Sequence, residues 1–427
     1  MKKASSLTAL RVACTLGALT AALLAHAATA DMPLAIHGDV VHTLAGEPIK
    51  NGLVLVRDGK ITYVGTAQDV AYTADHRSVH AKVVTPGLID ARATAGLSGI
   101  LNQPQDQDML ERSNPIQPEL RAIDAYNAQD PLIAWLRNFG ITTLNAGHAP
   151  GTLVSGQTMI VKTYGRNADA DVINPAAMTN VSLGSSAISR GEPGGGAPSA
   201  GGAARAPGTR AKAVAMLRAE LIKTQEYVAK REGKDESKRP ARDLKLETLA
   251  RAFDGSQRLL ITAHRQQDIL AALRIAQEFK LQIVLDGCAD AHLVLDEIKA
   301  SGFPVILHPT MARANEDTEN LAMDTAAKLR AAGIPFAIQS GFESYVPKTR
   351  VVLFEAAAAA GRGLGFDGAL AAVTRDAAQI LGIADRTGSL VVGKDADLAL
   401  FDGDPFEYTT HATGTVVGGK LFADGPH

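Results

Sequence analysis

The chain has 427 residues, 43 Lys plus Arg against 45 Asp plus Glu, and a formal net charge of −2. A balance this close to neutral excludes the dense basic surface by which proteins hold nucleic acid or anionic membranes. Its two cysteines are Cys14 and Cys288, and the first lies in a segment expected to be removed, so an intramolecular disulfide is excluded from the mature chain.

That segment comes first. Lys2, Lys3 and Arg11 flank an apolar run over residues 12–24, and Ala28-Thr29-Ala30 offers a small-residue cleavage site. Residues 1–30 read as a secretory signal peptide, whose apolar part is too short to span a bilayer comfortably. The expected destination is the periplasm or the exterior, with no membrane span after cleavage.

From 34 to 84 short apolar alternations are broken by turn signals. Asp58-Gly59 stands between Gly52-Leu53-Val54-Leu55-Val56 and Lys60-Ile61-Thr62-Tyr63-Val64-Gly65, which predicts a hairpin because glycine tolerates the positive φ of a tight turn. The tail has the same texture at 397–401 and 414–421. Residues 31–85 and 386–427 are therefore expected to form one small β-domain from both ends of the chain.

Between them, over 86–385, strands alternate with helical periods, the pattern of a parallel sheet. Strands are expected at 141–144, 181–183, 259–263, 282–285, 304–307 and 335–338, and helices at 211–231, 268–279, 291–300, 320–332 and 351–360. Residues 189–210 are rich in Gly, Ala and Pro, and a loop is expected there. Alternation alone fits a doubly wound sheet and a barrel equally well.

Two motifs decide between them. Thr85-Pro86-Gly87-Leu88-Ile89-Asp90 and Gly388-Ser389-Leu390-Val391-Val392-Gly393-Lys394-Asp395-Ala396-Asp397 resemble, in order and separation, the two ends of the amidohydrolase superfamily, most nearly its imidazolonepropionase-like branch. The resemblance implies an α/β fold, a distorted (β/α)8 TIM-like barrel with a small β-sandwich domain. It also implies hydrolysis of a carbon–nitrogen bond, in a cyclic amide or an N-acyl or dipeptide-like compound. In the family a His-x-His pair follows the first motif and binds a divalent metal; here Arg92 and Thr94 occupy those places. Thr262-Ala263-His264 matches the histidine ending the fifth strand, whereas the sixth offers Asp286 in place of histidine and the eighth has no carboxylate before Glu343.

Barrels place chemistry at the carboxyl ends of strands, where this chain has Asp90, Arg92, Asn145, His148, His264, Asp286, His308, Gln339 and Ser340. Arg92, His264 and Asp286 are the expected catalytic residues, and His148, His308 and Ser340 the expected substrate contacts. His264 alone remains as a family-type metal ligand, and catalytic zinc generally needs three. A guanidinium about 4 Å from a dication would repel it by roughly 8 kcal/mol at an effective dielectric near 20. No cofactor is the first expectation, with one divalent metal such as zinc at a displaced site as the alternative. Three readings stay open: a metal enzyme of that kind, a metal-free hydrolase using Arg92 as electrophile, and a non-catalytic barrel binding a small anionic ligand or a protein. Pairing of two copies is expected from the family.

Overall fold

The protein is described by a computed structural model covering residues 32–423, apart from 102, 189–205, 312–315 and 342–350. The expected signal peptide, most of the Gly/Ala/Pro-rich loop and Glu343 lie outside the described residues. No helix among those described is long and apolar enough to cross a membrane.

Seventeen strands follow in chain order: β1 (Leu34–Val41), β2 (Ile49–Arg57), β3 (Lys60–Thr66), β4 (Arg77–Pro86), β5 (Leu88–Ala93), β6 (Ile141–Ala146), β7 (Val154–Gln157), β8 (Met159–Lys162), β9 (Val172–Asn174), β10 (Met178–Ser182), β11 (Arg258–Ala263), β12 (Ile283–Gly287), β13 (Val305–Leu307), β14 (Phe336–Ile338), β15 (Leu398–Phe401), β16 (Ala412–Val417) and β17 (Lys420–Phe422).

The two ends of the chain make one seven-stranded sheet, in the order β17-β16-β15-β4-β1-β2-β3. It closes antiparallel at β15–β4, where Leu398 faces Pro86. Two turns set its register. Asp58 and Gly59 have φ of 51° and 75°, and Gly418 and Gly419 have φ of 55° and 88°, the doubly positive pattern that suits a two-residue hairpin. Side chains alternate as a pleat requires: Ile36, Val54, Val84 and Leu398 fill one core, and Ala35, Leu53 and Leu55 another. A second facing sheet is not seen among the described residues, so the expected sandwich is here a single sheet buried on both faces.

The middle of the chain forms a four-stranded sheet, β5-β6-β8-β9, and a six-stranded one, β14-β13-β12-β11-β10-β7. β10 to β14 run parallel in sequence order. β7 and β8 are two halves of one extended stretch, absent from the sequence expectations, which runs antiparallel to both β10 and β6. It joins the two sheets into an arc. The arc is not a closed barrel: no β14–β5 ladder occurs among the described residues, and that seam is crossed by Ser340 N donating to Asp90 Oδ1 at 3.1 Å. The layer inside the arc comes from alternate residues, including Met178, Leu260, Val284, Ile306 and Ala337. The helices Gln266–Phe279, Leu295–Ser301, Thr325–Ala332 and Val352–Ala359 follow their strands as expected.

The terminal sheet meets the arc near the start of β5. Lys162, at the end of β8, is buried and forms ion pairs with Asp397 and, at 3.3 Å, with Asp395. Gly87 N donates to the Asp397 carbonyl at 2.9 Å, which pins the chain just before β5 begins.

Candidate functional site

The inner layer fixes where the polar strand ends fall. Because side chains alternate, positions two residues beyond a core residue point the same way. Leu260 leads to Thr262 and then to His264, Val284 to Asp286, Ile306 to His308, and Ala337 to Gln339. All five polar residues line one cavity of about 40 Å³, together with Arg92. Arg92 reaches it from β5, whose register against β6 shifts between Asp90 and Ala93; such an irregularity re-aims side chains.

Arg92 is 4% exposed. Its Nη2 donates to the His148 carbonyl at 2.6 Å, while Nε and Nη1 have no hydrogen-bond partner. Among the described residues the carboxylate that pairs with it, Asp286, stands with Oδ2 4.0 Å from Nε. That distance is too long for a charge-assisted hydrogen bond. Asp286 is occupied elsewhere: the Thr262 hydroxyl donates to Oδ2, and Gln339 Nε2 donates to Oδ1 at 2.6 Å. Burial holds the guanidinium below its usual range against the opposing pull of Asp286 and Asp90.

Burial disfavours the charged form of two of the imidazoles. Burial lowers the affinity of His264 for a proton, against the carboxylates of Asp286, Asp317, Asp268 and Asp290, and its Nδ1 has no partner. Burial, and then Arg92, push His148 down to about 4. Two glycines make room for rings: a Cβ on Gly287 would lie 2.5 Å from His264 Cε1, and one on Gly341 2.2 Å from His308 Nε2. His308 also faces Glu355, 3.9 Å from Nε2 to Oε1.

Beneath the cavity, Asp90 is fully buried and accepts from the amides of Arg92 at 3.3 Å and Ser340 at 3.1 Å. Burial raises its carboxyl to about 7, and these bonds only partly offset that.

Of the six expected site residues, Arg92, His264, Asp286 and His308 are brought together. His148 adjoins the cavity through its backbone carbonyl, and its ring is buried behind it. Ser340 serves the seam with Asp90, and its neighbour Gln339 takes the cavity position. Thr262 and Glu355 were absent from the expected site. The alternation that placed His264 also places Thr262. For Glu355 the signal was one acid opening an alanine run at 356–360.

Comparisons with known proteins bear on the fold and the family. Residues 307–423 match the Amidohydrolase family model. An amidohydrolase from Thermotoga maritima MSB8 superposes with a TM-score of 0.81 at 25% identity, covering 92% of this chain and all of that one. The chain belongs to the amidohydrolase superfamily. Amidohydrolase tasK of Hapsidospora irregularis is 26% identical over 390 residues, which are 83% of this chain and 38% of that protein. Imidazolonepropionase of Stenotrophomonas maltophilia is 36% identical over 106 residues, 25% of each chain. The aligned parts thus span well under two thirds of these curated amidohydrolases.

Among the described residues the donor set does not fit the superfamily's usual metal. Among the described residues no three His, Cys, Asp or Glu converge as a metal-binding group. Asp286 has both oxygens engaged by Thr262 and Gln339, and a guanidinium lines the same cavity.

Proposed function

We propose that this chain is a hydrolase-like protein acting on a carbon–nitrogen bond in a small amide, with Arg92 as electrophile and His264 as general base. One observation carries the reading: a buried guanidinium lines the strand-end cavity, and two of its nitrogens have no protein partner. Hydrogen-bond donors fixed in a water-poor site stabilise the negative charge that develops on a carbonyl oxygen under attack. His264, neutral and with Nδ1 unpartnered, would take a proton from the attacking water and return it to the departing nitrogen. Asp286 would act as a fixed counter-charge that offsets the burial of Arg92 without bonding to it. Cyclic amides, N-acyl amino acids and dipeptides are the compounds to try first. The export signal expected at 1–30 would put this chemistry in the periplasm or outside the cell.

The test is turnover of that panel after chelator treatment, with Arg92→Met and His264→Gln as variants. Metal-independent hydrolysis that falls by about 100-fold or more in Arg92→Met is expected, the usual scale for removing an oxyanion donor. Activity that survives that change, or that needs added zinc, overturns the assignment. Saturable binding without turnover would instead establish the non-catalytic alternative.

A further inference from the structure

We infer that the cavity is a carboxylate site, and that the acid released by carbon–nitrogen hydrolysis binds there more tightly than the amide from which it comes. The inference rests on the proposed reaction for its biological sense, but its physical basis is independent of turnover.

The cavity is about 40 Å³. At roughly 10–15 Å³ for each water-sized occupant, it holds about three or four such groups, the size of a carboxylate head. Among the described residues that line it, the permanent cation is Arg92, whose Nε and Nη1 lack partners. Leaving buried donors unsatisfied is costly, and because Nε–H and Nη1–H point to opposite sides of the guanidinium, a carboxylate oxygen that reaches one of them recovers one bond that folding left unmade.

The surroundings favour an anionic acceptor over a neutral one. Of the carboxylates near Arg92, Asp286 is engaged by Thr262 and Gln339 and stands 4.0 Å away. Asp90 points its accepting oxygen at two backbone amides. Neither neutralises the guanidinium at hydrogen-bonding distance. The neighbouring imidazoles of His264 and His148 are depressed below their ordinary range and so add no competing positive charge at neutral pH.

An amide presents one oxygen carrying a partial charge. Hydrolysis adds water across the carbon–nitrogen bond, which breaks: the carbonyl carbon gains water's oxygen, the nitrogen leaves with both of water's protons as an ammonium, and the acyl half becomes a carboxylate. The product therefore carries a full negative charge where the substrate carried a dipole, on the same atoms facing the same guanidinium. Charge-assisted hydrogen bonds are about twice as strong as neutral ones. Product inhibition by the acid, and not by the amine, follows.

Calorimetric titration of the full chain with acetate, acetamide, chloride and sulfate separates the possibilities. Acetate is expected to bind at least tenfold more tightly than acetamide, with one site per chain, and at least tenfold less tightly to Arg92→Met. Equal affinity for acetate and acetamide overturns the inference, as does acetate binding unchanged in Arg92→Met or no binding of acetate at all. Chloride binding as well as acetate would reduce the site to one for unspecific anions, which also overturns it. If Arg92→Met does not fold, the acetate-to-acetamide ratio in the unaltered chain still decides. Acetate binding without amide turnover would sink the hydrolase reading and leave this one intact; turnover insensitive to the released acid would do the reverse.

Discussion

Two buried ion clusters sit at opposite ends of β5 and are built on opposite terms. Near its start, Lys162 pairs with Asp395 and Asp397, and the carboxylates are saturated. Asp397 also accepts from Thr387 and Gly418, each at 2.9 Å, and Asp395 from Lys60 at 2.7 Å and Arg386 at 2.8 Å. Near its other end, Arg92 has one hydrogen bond, to a backbone carbonyl, and two idle nitrogens. The first cluster has what a structural joint needs, complete satisfaction of every charge. The second leaves capacity unused in a cavity, which is what a site needs and a joint does not.

The largest expected effect is at the joint. Lys162→Met leaves Asp397 buried without its paired cation, while Asp395 keeps Lys60 and Arg386, and breaking such a pair costs about 3–5 kcal/mol. Urea titration should show the midpoint falling accordingly. Arg92→Met should cost less, about 1–3 kcal/mol, because two of the nitrogens it removes were unsatisfied to begin with. Equal losses for the two variants would erase the distinction between joint and site.

Next comes the pH dependence of Asp90, raised to about 7. A carboxyl raised in the folded state contributes stability that is full below its unfolded value near 4 and is lost as pH rises through about 7. His148, depressed to about 4, runs the other way: its contribution is full above about 6.5 and is lost as pH falls through about 4. The two oppose each other over the same window. Asp90→Asn should therefore gain on the unaltered chain as pH rises from 4 to 8, by at most about 4 kcal/mol at about 1.36 kcal/mol per unit. Denaturation at a series of pH values measures this, and a constant offset between the two proteins would mean that Asp90 ionises normally.

How far the sequence foretold this contrast follows from what each region depends on. The hairpin at Asp58-Gly59 was legible because two residues with positive φ are a local demand on local chemistry. The parallel strands were legible as apolar runs, and the rule that barrels place chemistry at strand ends then led to His264, Asp286 and His308. β7 and β8 were not legible: Val154-Ser155-Gly156-Gln157 has little strand character of its own and is held extended by partners on both sides. The joint was missed as well. Lys162 and Asp397 are 235 residues apart, and nothing local says that they meet. Ser340 was preferred over Gln339 because a single residue's slip moves a side chain to the other face.

A smaller effect probes the ring that Gly341 accommodates. Its φ of 76° and the 2.2 Å approach of a Cβ to His308 Nε2 make Gly341→Ala costly twice over. Gly302 has a similar φ of 71° with nothing within 4 Å of its would-be Cβ, so Gly302→Ala reports the backbone term alone, about 1–2 kcal/mol. Gly341→Ala should exceed it by about 1 kcal/mol or more and weaken acetate binding as His308 moves. Identical costs for both would mean that the ring shifts freely and is not part of a built cavity.

The finest test leaves every charge in place. Thr262→Val keeps the shape of the side chain and removes the hydroxyl that donates to Asp286 Oδ2. The stability loss should be about 1 kcal/mol, within reach of denaturant titration. Its value lies in what happens to Arg92. With that oxygen released, Asp286 is free to close the 4.0 Å gap to Arg92 Nε and form the ion pair that the unaltered chain withholds. Acetate affinity should then fall severalfold, although no residue bearing charge has changed. An affinity that stays constant or rises would show that Thr262 does not hold Asp286 away from the guanidinium, and that the idle donors owe their freedom to some other restraint.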